Sequence, residues 1–177
     1  MGLDASTSTI GLAIIEASEL KLIHYEYYKP SKKEDIFHKL QEVRKFISTK
    51  INEFKPDLVA LEDIILFMKG HSTAKTISGL AVLNRTVGLA VLDYLGQAPY
   101  LMNVMSIRSL IKIDKKAPKK EEVPDVVAKH LNIDFPYLLN KKGKILNENY
   151  DMADAMAAAI ALHKKISAPI KVKRKKK

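Results

Sequence analysis

An α/β fold, with a five-stranded mixed sheet flanked by helices, is what this sequence predicts. Three observations predict it. The first 29 residues are β-prone and are broken by two turn-forming stretches. Beyond them, segments with apolar residues at helical spacing alternate with short apolar runs of strand length. A long Ala-rich helical segment then closes the ordered part of the chain.

The elements follow in order. Residues 1–29 read as three strands, with turns at 5–9 and 17–19, and Lys21-Leu22-Ile23-His24-Tyr25-Glu26-Tyr27-Tyr28 alternates with period two. A helix is expected over 33–54, where Ile36, Phe37, Leu40, Val43, Phe46, Ile47 and Ile51 recur at helical spacing, and Lys55-Pro56-Asp57 stops it. A short buried strand follows at 58–61 and a loop at 66–72. The next helix runs from 72 or 73 to 95, capped by Gly96. Its apolar residues occupy more than one stripe, so one face is expected to meet a second copy of the chain. A fifth strand at 98–104, a short helix at 105–111, a basic loop at 112–120, a helix from 121 or 123 to 131, an irregular stretch at 132–149 and a helix at 150–165 complete the order. Three sequential strands, then strands alternating with helices, is the order of the ribonuclease H-like fold.

Composition bounds the function. With 177 residues, 47% of them apolar, the chain is long enough for one domain with a real core. That domain is expected over 1–166, with a basic, disordered tail over 167–177. Lys171, Lys173, Arg174, Lys175, Lys176 and Lys177 carry six of the +10 formal charge, which leaves +4 on the rest. There are no cysteines, which excludes disulfides and thiolate zinc sites. No run of about 18 apolar residues exists, so no membrane span is expected. The nearest approach, 73–95, is interrupted by Lys75, Asn84, Arg85 and Asp93. The start lacks the basic flank and apolar core of a secretion signal, so the protein is expected to stay in the cytoplasm.

Four acids carry the chemistry. Asp4 ends a short apolar start, Glu62 ends Leu58-Val59-Ala60-Leu61, and Asp151 and Asp154 open the last helix three residues apart, on one face. Each has a structural role available alone: a turn residue, a solvated strand end, a helix cap or first-turn acid. Together, two strands and one helix deliver a set of catalytic carboxylates able to hold two hard divalent cations. Magnesium takes oxygen ligands and keeps waters, and two ions about 3.5–4 Å apart cleave phosphodiesters.

Gly2-Leu3-Asp4-Ala5-Ser6-Thr7 with Thr9-Ile10-Gly11-Leu12-Ala13-Ile14, then Leu58-Val59-Ala60-Leu61-Glu62, the stretch from Ser72 through Arg85, Gly88 and Leu89, and Asp151-Met152-Ala153-Asp154-Ala155-Met156-Ala157 carry a resemblance over residues 1–165. The chain resembles RuvC-type Holliday junction resolvases, particularly their compact, phage-like branch. The resemblance implies a homodimer that resolves four-way DNA junctions with two Mg2+ ions per site, Mn2+ substituting. It implies paired symmetric nicks that leave 5′-phosphate and 3′-hydroxyl ends. Its metal ligands map onto Asp4, Glu62, Asp151 and Asp154. Many bacterial members begin Asp-Pro-Gly where this chain has Asp4-Ala5-Ser6. The resemblance also implies a junction-opening aromatic in the loop after the glutamate, for which Phe67 is the candidate, with Met68 beside it.

Junction arms present phosphates, so DNA-binding cations are expected around the acids. Lys69 and His71 lie in the loop after Glu62, and Lys75 opens the next helix. Lys112, Lys115, Lys116, Lys119 and Lys120 crowd one loop and a helix start, and the resemblance implies that one of Lys112, Lys119 or Lys120 assists the transition state. Lys141, Lys142 and Lys144 precede the last helix. Alternative readings are a related nuclease acting on flaps, forks or structured RNA, and a non-catalytic junction-binding module. Clustered carboxylates argue against the latter, because they repel phosphate unless metals neutralise them. A kinase-like ATP-binding protein is a further alternative, but the chain is short for two lobes and has no second glycine-rich phosphate loop.

Overall fold

The computed structural model describes residues 1–31, 35–64 and 73–168. Strands β1 (Gly2–Ala5), β2 (Ile10–Glu16) and β3 (Lys21–Tyr28) form an antiparallel meander. β4 (Ala60–Glu62) and β5 (Tyr100–Met102) add in parallel on the other side of β1, giving the order β3-β2-β1-β4-β5. Parallel neighbours need crossover connections, which helices α1 (Ile36–Phe54) and α2 (Ala74–Leu95) supply. Helices α3 (Val104–Ile111), α4 (Val123–Leu131) and α5 (Glu148–Ser167) complete the chain.

Successive strand residues face opposite sides of a sheet. Leu3, Leu12 and Leu61 therefore pack with Val43, Ile47, Leu83, Val87 and Val91 of α1 and α2. Ala13 and Ala60 meet the other layer, with Ile107, Val127, Met156 and Ile160 of α3, α4 and α5. The same alternation puts Asp4 and Glu62 on the α5 side, beside Gly2 and Ala60.

α5 is the most buried helix of the fold, with every residue from Met152 to Leu162 buried. It lies against the sheet at backbone distance. A Cβ on Gly2 would stand 2.0 Å from the Ala155 carbonyl oxygen, and one on Gly11 would stand 2.1 Å from that of Asp151. Only glycine allows two backbones to meet this closely.

Element boundaries shift where local hydrogen bonds decide them. α1 begins at Ile36, later than the expected 33, because Asp35 caps it by accepting from the Phe37 and His38 amides at 2.8 and 3.1 Å. β4 extends to Glu62, which pairs with Met102, so the acid stands within the sheet and not past a strand ending at 61. β5 is shorter than 98–104: Pro99 offers no amide before it, and Asn103 after it caps α3 by accepting from the Ser106 amide at 2.8 Å. α5 starts at Glu148, two residues earlier than expected. The buried Asn149 side chain fastens that start, accepting from the Leu138 amide and donating to the Leu138 and Leu146 carbonyls, all at 2.8 Å. No helix among the described residues is long and apolar enough to cross a membrane.

Gly11→Ala is expected to destabilise the fold by about 1–3 kcal/mol in urea denaturation, as overpacking against backbone does. Gly79→Ala, inside α2 with only Thr7 Cγ2 at 3.9 Å, is expected to stabilise by up to about 1 kcal/mol through helix propensity. Equal effects at the two positions would remove the close contact as the explanation.

Candidate active site

The fold brings the four acids together. Asp4 stands on the central strand, Glu62 on its parallel neighbour, and Asp151 and Asp154 on the first turns of α5 above both. Asp4, Glu62 and Asp151 are partly buried, and Asp154 is 8% exposed. Their proximity is written in their electrostatics. Burial, then the charges of Glu62, Asp154 and Asp151, push the Asp4 carboxyl well above its ordinary value. Burial and the Asp154 charge raise Glu62 from 4.5 to about 7. Burial raises Asp154 from 3.8 to about 6, and burial also raises Asp151.

Two cations oppose this accumulation. Lys120, in a short 3-10 helix (Lys120–Glu122), acts on all four acids. Glu122 fixes that turn by accepting from the Lys119 amide at 2.7 Å. Arg108 of α3 acts on Glu62 and Asp154, and its Nε is buried without a hydrogen-bond partner among the described residues, as is Glu62 Oε2. Neutral groups position the acids. Thr9, 5% exposed, lies beside Asp151 and favours its charged form against the effect of burial. Asn84 of α2, wholly buried, donates to the Glu62 carbonyl at 2.8 Å, and Arg85 donates to Asp63 at 3.0 Å and to Asn84 Oδ1 at 2.8 Å. The Asp4-Ala5-Ser6 turn is closed by Ser6, whose Oγ donates to the Thr9 carbonyl at 2.9 Å and accepts from its amide at 3.0 Å.

The expected DNA-binding residues divide. Phe67, Met68, Lys69 and His71 lie outside the described residues, as do 169–177 of the tail. Lys75 is exposed on the first turn of α2, and Lys112, Lys115, Lys116 and Lys119 are exposed around the α3–α4 connection. Among the three lysines expected to assist chemistry, Lys120 is the one whose charge acts on every acid of the cluster. Arg108, Asn84 and Thr9 escaped the sequence reading. Arg108 sits at helical spacing among apolar residues and signals nothing by itself, whereas Asn84, a polar residue one position after Leu83 and three before Val87, falls on the buried stripe of α2.

This arrangement, acids on a ribonuclease H-like sheet faced by an acidic helix, defines a class of nucleases, and comparison with known proteins is specific within it. The sequence model of the family described as crossover junction endodeoxyribonuclease RuvC matches residues 1–163, and the chain belongs to that family. The RuvC protein of Alkaliphilus metalliredigens is 29% identical over 146 residues, covering 72% of this chain and 87% of the relative. That of Chlamydia felis is 27% identical over 163 residues, covering 90% and 89%. Among solved structures, T. thermophilus RuvC in complex with Holliday junction substrate superposes with a TM-score of 0.71 at 19% identity, over 93% of this chain and 92% of that one. The Thermus thermophilus RuvC structure gives 0.68 at 21%, over 93% of each. At these identities the structural likeness is one of fold.

Enzymes of this family are metal-dependent nucleases, and the residues here fit a hard cation. The donors are carboxylates, one with a buried, unpartnered oxygen. Among the described residues, no three Asp, Glu or His side chains close on one point as a ready-made ligand set.

Raised carboxyl pKa values make folding bind protons. Between their ordinary values and their folded ones, the native state holds more protons than the unfolded chain, so stability falls as pH rises. The melting temperature of the chelator-treated protein is therefore expected to fall as pH rises from about 4 to about 7. Glu62→Gln should flatten that fall, and a divalent cation should reverse it. A variant that melts with an unchanged pH profile would remove Glu62 from the titrating cluster.

Proposed function

We propose that this protein is a metal-dependent endonuclease that resolves Holliday junctions and related branched DNA by paired symmetric nicks. The observation that carries the reading is the convergence of four acids, from two strands and a helix, in a chain that matches the RuvC family over 163 residues.

Asp4, Glu62, Asp151 and Asp154 would hold two magnesium ions, with manganese able to substitute. Bound divalent ions supply Lewis acidity at the phosphate and lower the pKa of a water. Hydrolysis forms a bond from the water oxygen to phosphorus and breaks the bond to the 3′ oxygen, which leaves with a proton. That yields 5′-phosphate and 3′-hydroxyl ends. Asp4 sits on the central strand and offers the most rigid platform for a shared ligand. Lys120 and Arg108 offset the acids' charge and stand where negative charge grows on the phosphate. Asn84 and Thr9 are positioning residues, acting through Glu62 and Asp151. Lys75, Lys112, Lys115, Lys116 and Lys119 would bind the DNA backbone, and Phe67, Met68 and Lys69 would add the contacts expected of the loop after Glu62.

Paired nicks need paired sites. The outer side of α2 supports a homodimer: Val82, Leu89 and Leu92 are 42–58% exposed, although the opposite side of the helix is buried from Leu83 to Val91. Single exposed apolar residues are ordinary, but a row along one helix marks an interaction surface.

With magnesium, the protein is expected to cut a synthetic four-way junction at opposed positions in preference to linear duplex. Asp4→Asn and Asp154→Asn should bind the junction and leave it intact. Equal cleavage of flaps, forks, RNA hairpins and duplex would sink junction specificity, and normal cutting by both variants would sink the site. Leu89→Lys is expected to shift the sedimentation of a dimer towards monomer and to convert paired nicks into single ones. A variant that remains fully dimeric would exclude this face of α2.

A further inference from the structure

A polar groove of about 570 Å3 adjoins the acids and is not used by the chemistry above. It lies between the β1–β2 turn, the end of β3 and the first turn of α5, and it shares Asp151 and Lys120 with the acid cluster. Lys29, the residue after β3, lines it and forms an ion pair with Glu148. The Lys29 side chain is 49% exposed, that of Glu148 only 12%. Lys29 Nζ stands 5.6 Å from the Tyr27 ring centroid, and Lys120 Nζ stands 5.9 Å from that of Tyr150.

We propose that this groove receives the backbone phosphate next to the scissile one, that Lys29 is its cation, and that Glu148 occupies Lys29 until DNA displaces it. The proposal rests on the nuclease reading and extends it. Three observations carry it. First, the groove is continuous with the acids through Asp151, so a strand leaving the reacting phosphate runs into it. Glu148 precedes Asp151 by three residues, about 4.5 Å of rise on one face of α5, so a strand with one phosphate at Asp151 would carry an adjacent one within reach of Lys29. Second, the groove carries a cation on each side and hydroxyls on its floor, with Ser8 exposed there, which is the chemistry that holds a phosphodiester. Third, the groove already holds an oxyanion. The Glu148 carboxylate meets Lys29 through one oxygen, Oε1, as a phosphate oxygen would. An ion pair with one member half in water is worth little, so a strand held at neighbouring sites can replace it.

Salt titrations of junction binding by the full-length chain, in chelator so that nothing is cut, test this directly. Lys29→Met is expected to weaken binding about five- to tenfold and to lower the slope of log affinity against log salt by about one. Glu148→Gln is expected to tighten binding about two- to fivefold, because it frees the cation. A single methylphosphonate beside the cut position should weaken wild type and leave Lys29→Met unaffected. An unchanged slope in Lys29→Met, or a Glu148→Gln variant as weak as Lys29→Met, overturns the groove assignment while junction cutting by wild type stands. Should wild type prefer another nucleic acid to the junction, the junction reading fails, and the same slope change measured on that nucleic acid supports the groove.

Discussion

Everything at the site depends on how closely α5 can approach the sheet. Glycine at 2 and 11 on the strands and a run of alanines on the helix bring the two backbones together. The separation of Asp151 and Asp154 from Asp4 and Glu62 is thereby set by main-chain contact, which does not adjust as long side chains do. Carboxylates are short, and acids from a helix and a sheet can share an ion only when their backbones are near neighbours. A helix seated on leucines would leave the same four residues too far apart to act together.

That proximity carries an electrostatic cost. Four carboxylates in a partly buried site raise one another's pKa, and in the absence of a counter-ion some of them keep protons near neutral pH. The chain offsets part of the cost with Lys120 and Arg108, which come from different elements and approach from the α3–α4 side. Neither cation forms a salt bridge with the acids among the described residues, so the carboxylate oxygens remain open to other partners. Hydrogen bonding is directed at the scaffold instead: Asn84 holds the Glu62 backbone, not its carboxylate.

The element order was legible because it is written in periodicity, and periodicity survives any tertiary context. The acids were legible for the same reason, since each falls at the end or start of a periodic segment. Boundaries were less so. Asp35, Asn103 and Asn149 decide where helices begin through single side-chain hydrogen bonds, and an Asn or Asp in a sequence does not say which amide it will meet. Arg108 and Lys29 were missed because a cation shows its role only when the fold reveals which anion it faces. The lysines at 112–120 stood out by crowding, yet crowding could not rank them. The turn that aims Lys120 is fixed by Glu122, a residue of no distinction in the sequence.

The alanines of α5 also fix how this protein can change over generations. Ala153, Ala155, Ala157, Ala158, Ala159 and Ala161 are all buried, and the commonest replacements for alanine are larger. Elsewhere in a core an added methyl group is absorbed by small rearrangements and is felt as a loss of stability alone. At Ala155 and Ala159, which meet Gly2, it would wedge the helix away from the strands and displace two acids with it. Drift in this segment is therefore screened twice, for folding and for chemistry. The helix should be the slowest-changing part of the chain, even at positions that never touch a substrate.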